Sequence, residues 1–284
     1  MKNILVPYDF SKEAEYAFKF AQEIAALSSS KLKLVHIIEI PTTQHFNTMG
    51  EVNLEENYID KVFMVELVEK RKKQLKEIEE GLGVKPYPFS TRLSFGNPYA
   101  GISKEISTIK ADLVVMGSKG SSGLEELLIG SNTEKVVRHS SCPVITVKSP
   151  TNASSIKKIV FASDFSEDSK KVMKSLKDLQ NLLGADLHLV KVNTPNSFEN
   201  SKKSKEKIAS FVKSNKLQNV VIDIFNSSSE EDGILEYAEE INADLIAMAT
   251  HGRTGFLHLL SGSIAEDVVN AAKRPVWTMK LVNK

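Results

Sequence analysis

The sequence has little of several features that mark particular classes of protein. Cys142 is its only cysteine, so no disulfide can form within the chain, and a reducing compartment is expected. Its 37 basic residues are balanced by 36 acidic ones, whereas proteins that bind nucleic acid usually carry a basic surface. No apolar run approaches the roughly 18 residues of a membrane span, and no signal-peptide pattern is present. We therefore expect a cytoplasmic protein that binds neither nucleic acid nor membranes.

Two sequence patterns occur twice. NILVPYDFS near the amino terminus recurs as KIVFASDFS, and CPVITVK recurs as RPVWTMK near the end of the chain. The polar stretch SPTNASS between the copies has the composition of a linker. The sequence therefore predicts two tandem domains, 1–149 and 156–284. The first copy is longer, and 41–60 is the segment where we place the additional residues.

Each half alternates short apolar runs with segments of helical periodicity. In the first half, Ala14, Ala17 and Phe18 share one helical face, whereas ADLVVMGS is a continuous apolar run that ends in glycine. This alternation predicts crossover connections and a parallel sheet that is covered on both faces. We expect an α/β fold in which each half is a doubly wound, five-stranded parallel sheet. Ligands bind such sheets beyond the carboxyl ends of the strands, where Asp9 and Gly117 should lie.

The segment GSKGSSGLEELLIGS, from Gly117 to Ser131, follows a predicted strand and leads into a predicted helix. Glycine lets a ligand approach the backbone without meeting a Cβ atom, and a helix start favours an anion. One interpretation is therefore a phosphate-binding loop. The alternative is that the glycines only end the strand and the helix, with Ser131 as an ordinary N-cap. The segment contains neither G-x-x-x-x-G-K-[ST] nor G-x-G-x-x-G.

Asp-Phe-Ser after the first strand, the spacing Gly117-x2-Gly120-x9-Gly130-Ser131 and the closing Pro-Val strand together resemble the universal stress protein family. The resemblance covers nearly the whole chain, twice, so the sequence looks like a tandem member. It implies a Rossmann-like fold of the adenine nucleotide alpha hydrolase type and binding of ATP or AMP, with Mg²⁺ entering alongside the triphosphate. Family members dimerise through the last strand, which implies that the halves pack as a pseudo-dimer through PVITV and PVWTM. A further homodimer is left open.

The resemblance also implies roles for individual residues of the first half. Residues that follow the first two strands would contact the adenine and the ribose: Pro7, Tyr8, Asp9 and Ile37. Residues of the glycine segment would contact the ribose and the phosphates: Gly117, Gly120, Gly130, Ser131, Asn132 and Thr133. Family members often have a small residue in place of Tyr8, whose ring could stack on the base or narrow the pocket.

The second copy of the segment reads ATHGRTGFLHLLSGS and has Ala249 in place of the first glycine. The added methyl group could be tolerated or could displace the ribose, whereas His251 and Arg253 add hydrogen-bond donors for the phosphates. Binding of nucleotide in the second half is therefore left open. Its candidate binding residues, carried over by the same resemblance, are Asp164, Val192, Gly252, Arg253, Gly262 and Ser263.

The sequence predicts no catalytic residue and no metal ligand set. The histidines lack metal-ligand spacing, and no histidine lies next to the serines of the glycine segment to activate them. Asp9 and Asp164 are better placed to cap turns than to act as bases, with Ser11 and Ser166 as helix N-caps. The charged segment EKRKKQLKEIEE is interpreted as the solvent-exposed face of a helix.

These observations favour a stress-response regulator that binds an adenine nucleotide, hydrolyses ATP slowly or not at all, and acts through a protein partner. A scaffold that never binds nucleotide is the main alternative. An enzyme of the adenylate-forming or ATP-pyrophosphatase kind is disfavoured. Such an enzyme would have a Ser-Gly-Gly-type loop after the first strand, where this chain has PYDFS.

Overall fold

The structure is a computed structural model of the 284-residue chain, and it describes residues 1–39, 54–118, 129–251 and 263–281. In the first half, strands and helices alternate. The elements are β1 (Asn3–Pro7), α1 (Lys12–Ser28), β2 (Lys31–Ile38), α2 (Leu54–Gly81), β3 (Phe89–Phe95), α3 (Pro98–Ile109), β4 (Leu113–Gly117), α4 (Ser131–His139) and β5 (Val144–Val147).

A short 3₁₀ turn, Ala153–Ser155, lies in the predicted linker, and the same alternation then repeats. The elements of the second half are β6 (Lys158–Ala162), α5 (Lys170–Leu183), β7 (Asp186–Asn193), α6 (Ser201–Asn215), β8 (Val220–Asn226), α7 (Glu230–Glu240), β9 (Leu245–His251), α8 (Ser263–Ala271) and β10 (Val276–Leu281). The predicted α/β class is confirmed, with five strands in each half of the described chain.

The ten strands form one sheet in the order β3-β2-β1-β4-β5-β10-β9-β6-β7-β8. Within each half the neighbouring strands are parallel, as predicted for a doubly wound sheet. Between the halves, β5 and β10 pair antiparallel, with Ile145 opposite Trp277. The strand order places β1 and β4 side by side between β2 and β5. The carboxyl ends of β2, β1 and β4 therefore lie in sequence along one edge of the sheet.

Local sequence explains where α1 begins and which face it buries. The hydroxyl oxygen of Ser11 accepts a hydrogen bond from the Ala14 amide at 3.2 Å, so Ser11 is the predicted N-cap. The predicted apolar face is buried at Ala14, Ala17 and Phe18. Helix α1 ends at Ser28, and its C-cap residue Ser29 adopts the left-handed conformation with φ of 52°. The amino terminus of α1 is thereby fixed next to the carboxyl ends of β1 and β4.

The additional chain in the first half is helical in part. Helix α2 has 28 residues, whereas α6, which makes the same connection in the second half, has 15. The predicted insertion at 41–60 therefore overlaps α2 from Leu54 onward. Residues 40–53 lie outside the part of the chain that the structure describes.

Buried apolar side chains form a continuous core across both halves on one face of the sheet. This cluster contains Ile4 and Ile145 from the first half and Phe161 and Trp277 from the second. The opposite face has one separate cluster for each half. No helix in the described ranges is both long and apolar enough to cross a lipid bilayer.

An ion pair joins the two halves beside the β5–β10 strand pair. The Nε and Nη2 groups of Arg138, in α4, donate to the two carboxylate oxygens of Glu266, in α8, each at 2.7 Å. Both side chains are partly buried. Two parallel hydrogen bonds of this kind are stronger and more specific in geometry than a single contact.

We expect the Arg138–Glu266 pair to couple the two halves energetically. A double-mutant cycle with Arg138→Gln and Glu266→Gln, measured by urea unfolding, should give a coupling free energy of about 1 kcal/mol because the pair is bidentate and partly buried. The exposed Glu15–Lys19 pair of α1 is the control and should couple by less than about 0.5 kcal/mol. The pseudo-dimer arrangement itself remains a prediction. Zero coupling in folded variants would contradict a role for this ion pair in joining the halves.

Candidate functional site

A cavity of about 490 Å³ opens at the carboxyl ends of β1, β2 and β4. This volume is within the usual range for small-molecule sites. Apart from Gly120, which lies outside the described residues, all of the candidates predicted for the first half line it. They are Pro7, Tyr8, Asp9, Ile37, Gly117, Gly130, Ser131, Asn132 and Thr133.

Asp9 is fixed in the turn between β1 and α1. Its Oδ1 accepts hydrogen bonds from the amide and the hydroxyl of Ser11, at 3.0 and 2.5 Å. Between them, Phe10 adopts the left-handed backbone conformation with φ of 67°, which is unfavourable for an aromatic residue. The capping role predicted for Asp9 is therefore present in the structure. The same turn places its carboxylate at the wall of the cavity.

An aromatic cluster lies behind this turn. The rings of Phe10 and Phe18 pack edge-on against the Tyr8 ring, at centroid distances of 5.0 and 5.9 Å. Nδ1 of His36 lies 2.7 Å from the carbonyl oxygen of Tyr8, so this nitrogen carries the proton and donates it. Burial lowers the pKa of His36, which keeps the ring neutral at pH 7. His36 is therefore a buried, hydrogen-bonded residue of β2.

Apolar residues form the floor of the cavity, and a glycine brings α3 close to them. Ile37, Ile102 and Met116 all line the cavity. A Cβ atom added at Gly101 of α3 would lie 2.6 Å from Cδ1 of Ile37, so the helix packs directly on this side chain. Glycine at this position therefore lets α3 lie close beneath the floor of the cavity.

Gly117 is needed for packing as well as for space in the cavity. A Cβ atom added to it would lie 2.8 Å from the carbonyl carbon of Glu13 and 3.0 Å from the amide nitrogen of Ala14. Both atoms belong to the backbone of the first turn of α1, so relieving the clash would require the helix itself to shift. The first glycine of the segment thus lets the end of β4 contact α1. The sequence pattern by itself indicates only close approach of a ligand or the end of the strand.

The amino terminus of α4 forms the opposite wall. Gly130 is its N-cap, and no side chain caps the helix, so the expectation that Ser131 is the N-cap is wrong. Ser131 is the first helical residue, and the amide groups of a first turn have no acceptors within the helix. The hydroxyl of Thr133 donates to the Gly117 carbonyl oxygen at 3.0 Å and ties α4 to β4.

The second half also contacts this wall. The amide of Ile129, immediately before Gly130, donates to the side-chain oxygen of Asn270 in α8. The Ile129 side chain packs against the apolar cluster of the second half. The Gly130 amide donates to the Ser118 carbonyl oxygen at 2.8 Å. The start of α4 is therefore held by hydrogen bonds to the end of β4 and the residue after it, and by the side chain of Asn270 from the other half.

Arg71 is a cavity residue that the sequence pattern did not single out, because it lies within the charged segment interpreted as an exposed helix face. In the structure Arg71 lines the cavity from α2, and its guanidinium carbon lies 4.5 Å from the centroid of the Phe10 ring. The missed signal was helical spacing. Arg71 is four residues from both Leu67 and Leu75, so it lies on the same face of the helix as these two apolar side chains.

The equivalent cavity in the second half is smaller, about 170 Å³. The repeat aligns Asn132 and Thr133 with Ile264 and Ala265, so two polar side chains of the first half are replaced by apolar ones. Glu230 lines this cavity, and its Oε1 accepts hydrogen bonds from Thr194 at 3.1 Å and Ser197 at 2.8 Å. The two halves therefore differ in both the size and the chemistry of the cavity.

Only some candidates of the second half can be placed. Val192 lines the smaller cavity, and Ser263 is the first residue of α8. The carboxylate of Asp164 accepts hydrogen bonds from the Ser166 amide at 3.1 Å and the Ser169 hydroxyl at 2.9 Å. The candidates Gly252, Arg253 and Gly262 lie outside the described residues.

The prediction that Ser166 caps the first helix of the second half is wrong, because α5 begins at Lys170 with Ser169 as its N-cap. The substitution at Ala249 gives a physical reason. This residue aligns with Gly117, where a Cβ atom would collide with the first turn of α1. In the second half the aligned residues, Asp168 and Ser169, precede the helix. A later helix start thus accompanies the added methyl group.

Comparison with known proteins agrees with this geometry. The model of the universal stress protein family matches residues 1–148 and 155–280. The chain therefore belongs to the universal stress protein family and contains two tandem domains of it.

Curated relatives and solved structures carry the same family name. A relative from Staphylococcus saprophyticus is 36% identical over 148 residues, which are 52% of this chain and 83% of the relative. A Staphylococcus aureus relative is 35% identical over the same length. The crystal structure of a universal stress protein from Archaeoglobus fulgidus has a TM-score of 0.72 at 23% identity and covers 99% of this chain and 98% of its own. The latter similarity shows that the tandem fold is shared.

We expect Gly117→Ala to destabilise the protein, because its Cβ atom would meet the backbone of Glu13 and Ala14. A loss of about 1–3 kcal/mol in the free energy of unfolding is expected from such overpacking. Ala249→Gly is the matched control in the second half and should cost about 1 kcal/mol or less. Urea unfolding of both variants measures the difference. Equal effects of the two changes would contradict the packing role of Gly117.

We also expect His36 to make the protein less stable in mild acid. Burial lowers the pKa of His36 below 6.5, so the unfolded chain binds a proton more readily than the folded protein does. The destabilisation caused by protonation of His36 is absent well above pH 6.5. It grows as the pH falls through that value. Urea unfolding at pH 7.5 and 5.5 should show a smaller loss in His36→Gln than in the wild type. Equal losses would contradict this assignment.

Proposed function

We propose that the first half binds an adenine nucleotide, ATP or AMP, in the 490 Å³ cavity. One observation carries the proposal. The cavity joins the Asp9 turn, the apolar floor at Ile37 and the uncapped amino terminus of α4 in a single space. A nucleotide carries groups that suit these three parts of the cavity. The faces of its base are largely apolar, its ribose carries hydroxyl donors, and its phosphates are anions.

Each wall of the cavity fits one part of the ligand. The apolar floor would contact the base, and the Asp9 carboxylate could accept a hydrogen bond from a ribose hydroxyl. The first-turn amides of α4, together with the positive end of the helix dipole, would hold the phosphates. Gly130, with φ of −64°, has a backbone conformation that any residue can adopt. Its lack of a side chain is therefore more useful to a nearby ligand than to the helix cap.

The described cavity residues favour binding over catalysis. Nδ1 of His36 is hydrogen-bonded to the Tyr8 carbonyl, and Asp9 is held by Ser11. Within the described ranges, no group of three potential metal ligands is found. We expect a magnesium ion to enter with ATP, because Mg²⁺ is commonly held by substrate phosphates. We infer a regulator in which hydrolysis is slow or absent, with a protein partner that responds to the bound nucleotide in the cytoplasm.

We further infer that one nucleotide binds per chain. The smaller cavity of the second half has apolar side chains at the start of α8 and the carboxylate of Glu230 in its lining. Because Asp9 and Glu39 also line the larger cavity, the inference depends on the smaller volume of the second cavity and on its apolar side chains rather than on Glu230. The second half would then act as structural support, since Asn270 contacts the residue before Gly130.

Purified protein should release an adenine nucleotide on denaturation, or should bind added ATP with one site per chain in titration calorimetry. Its melting temperature should rise with ATP concentration, because a ligand that binds only the folded state stabilises it. Gly130→Val should weaken binding at least about tenfold, since its side chain would occupy the phosphate end of the cavity. The melting temperature without nucleotide should stay nearly unchanged.

Gly81→Val, at the end of α2, is the control for exchanging a glycine outside the cavity, because nothing lies within 4 Å of its added Cβ atom. It should leave ATP affinity unchanged. If the protein neither carries nucleotide nor responds to millimolar ATP, the proposal fails and the nucleotide-free scaffold is favoured. Two equal sites per chain would contradict only the inferred stoichiometry.

A further inference from the structure

We propose that Arg71 binds the nucleoside part of the ligand, with its guanidinium Nε–H donating a hydrogen bond to the base or the ribose. The inference rests on the proposed function, because it assigns a residue and a ligand group to the same cavity. Arg71 belongs to α2 and lies outside every motif that led to the site.

One buried nitrogen of the Arg71 guanidinium has no hydrogen-bond acceptor among the described residues. This atom is Nε, whereas Nη1 donates to the side-chain oxygen of Gln74 at 2.8 Å. A buried donor without an acceptor is unfavourable. Because Arg71 also lines the cavity, a bound molecule can supply the missing acceptor.

The guanidinium is also held in place before any ligand arrives. It lies over the Phe10 ring, 4.5 Å from the centroid, in the geometry of a cation–π contact. Phe10 in turn packs edge-on against His36, with ring centroids 4.8 Å apart. The Arg71 side chain therefore loses little conformational entropy when it binds a ligand.

The position of Arg71, Phe10 and His36 along the sheet indicates that Arg71 would contact the nucleoside rather than the phosphates. Phe10 follows β1 and His36 lies in β2, whereas the amino terminus of α4 lies beyond β4. In the sheet order β2-β1-β4, Arg71 is therefore on the β1–β2 side of the cavity. The phosphate-binding amides are on the other side. Adenine and ribose both carry neutral acceptors, which an Arg donor can use.

The neighbouring cations of α2 behave differently. Lys72 and Lys73 are exposed, with 58% and 80% of their side chains accessible, and each pairs with a glutamate of the same helix. These are ordinary surface ion pairs with little energetic effect. Lys72 is therefore a matched position at which a positive charge can be removed from the same helix without touching the cavity.

The test measures the affinities of adenosine, AMP and ATP for the wild type, Arg71→Met, Arg71→Lys and Lys72→Met in the full chain. Arg71→Met should weaken all three ligands by a similar factor, about ten- to a hundredfold, as expected for the loss of a hydrogen bond from a charged donor. Arg71→Lys keeps the charge but lacks Nε–H, and it should remain weaker than the wild type. Lys72→Met should bind within about twofold of the wild type.

Circular dichroism and the ligand-free melting temperature show whether each variant folds, and Arg71→Lys carries the test if Arg71→Met does not fold. A loss that grows from adenosine to ATP would overturn the inference by making Arg71 a phosphate ligand. Wild-type affinity in Arg71→Met or in Arg71→Lys would also overturn it. A wild type that binds none of the three ligands would instead refute the proposed function itself.

Discussion

The contact between the end of β4 and the first turn of α1 determines the geometry of the first-half site. It requires a residue without Cβ at Gly117, because the backbone of Glu13 lies where that atom would be. With this contact made, α1 begins at Lys12, and Ser11 and Asp9 are fixed by their mutual hydrogen bonds. The Thr133 hydroxyl then ties α4 to the Gly117 carbonyl. Three walls of the cavity therefore depend on one close approach of two backbones.

The second half shows what happens when this constraint is changed within the same fold. Ala249 replaces the glycine, the helix after the Asp-Phe-Ser segment begins later, and the cavity is smaller. The strands and their order are nevertheless the same, since the sheet is stabilised by buried apolar residues that do not involve this contact. Fold and site are thus separable in this chain. The second half keeps the fold and contributes Asn270 and Glu266 to contacts with the first.

Much of the first-half site was predictable because its residues are adjacent in sequence to recognisable strand ends. Asp9 follows an apolar run, Gly117 ends another, and Gly130 precedes a periodic helix, so each could be placed at the edge of the sheet. Five strands are expected in each half, but the sequence pattern does not show where the third one lies. β3, with the sequence FSTRLSF, and β8 lie at the two edges of the sheet, where side chains are less buried and the apolar pattern is weak.

The sequence alone determined the alternation of strands and helices, the duplication and the family, because these depend on local patterns that recur along the chain. Tertiary structure decided the antiparallel pairing of β5 with β10, the role of Gly117 and the position of Arg71 in the cavity. Each of these depends on contacts between residues far apart in sequence. A helix pattern gives the face on which Arg71 lies, but only the packing of α2 against β3, with Arg71 over the Phe10 ring, shows what that face contacts.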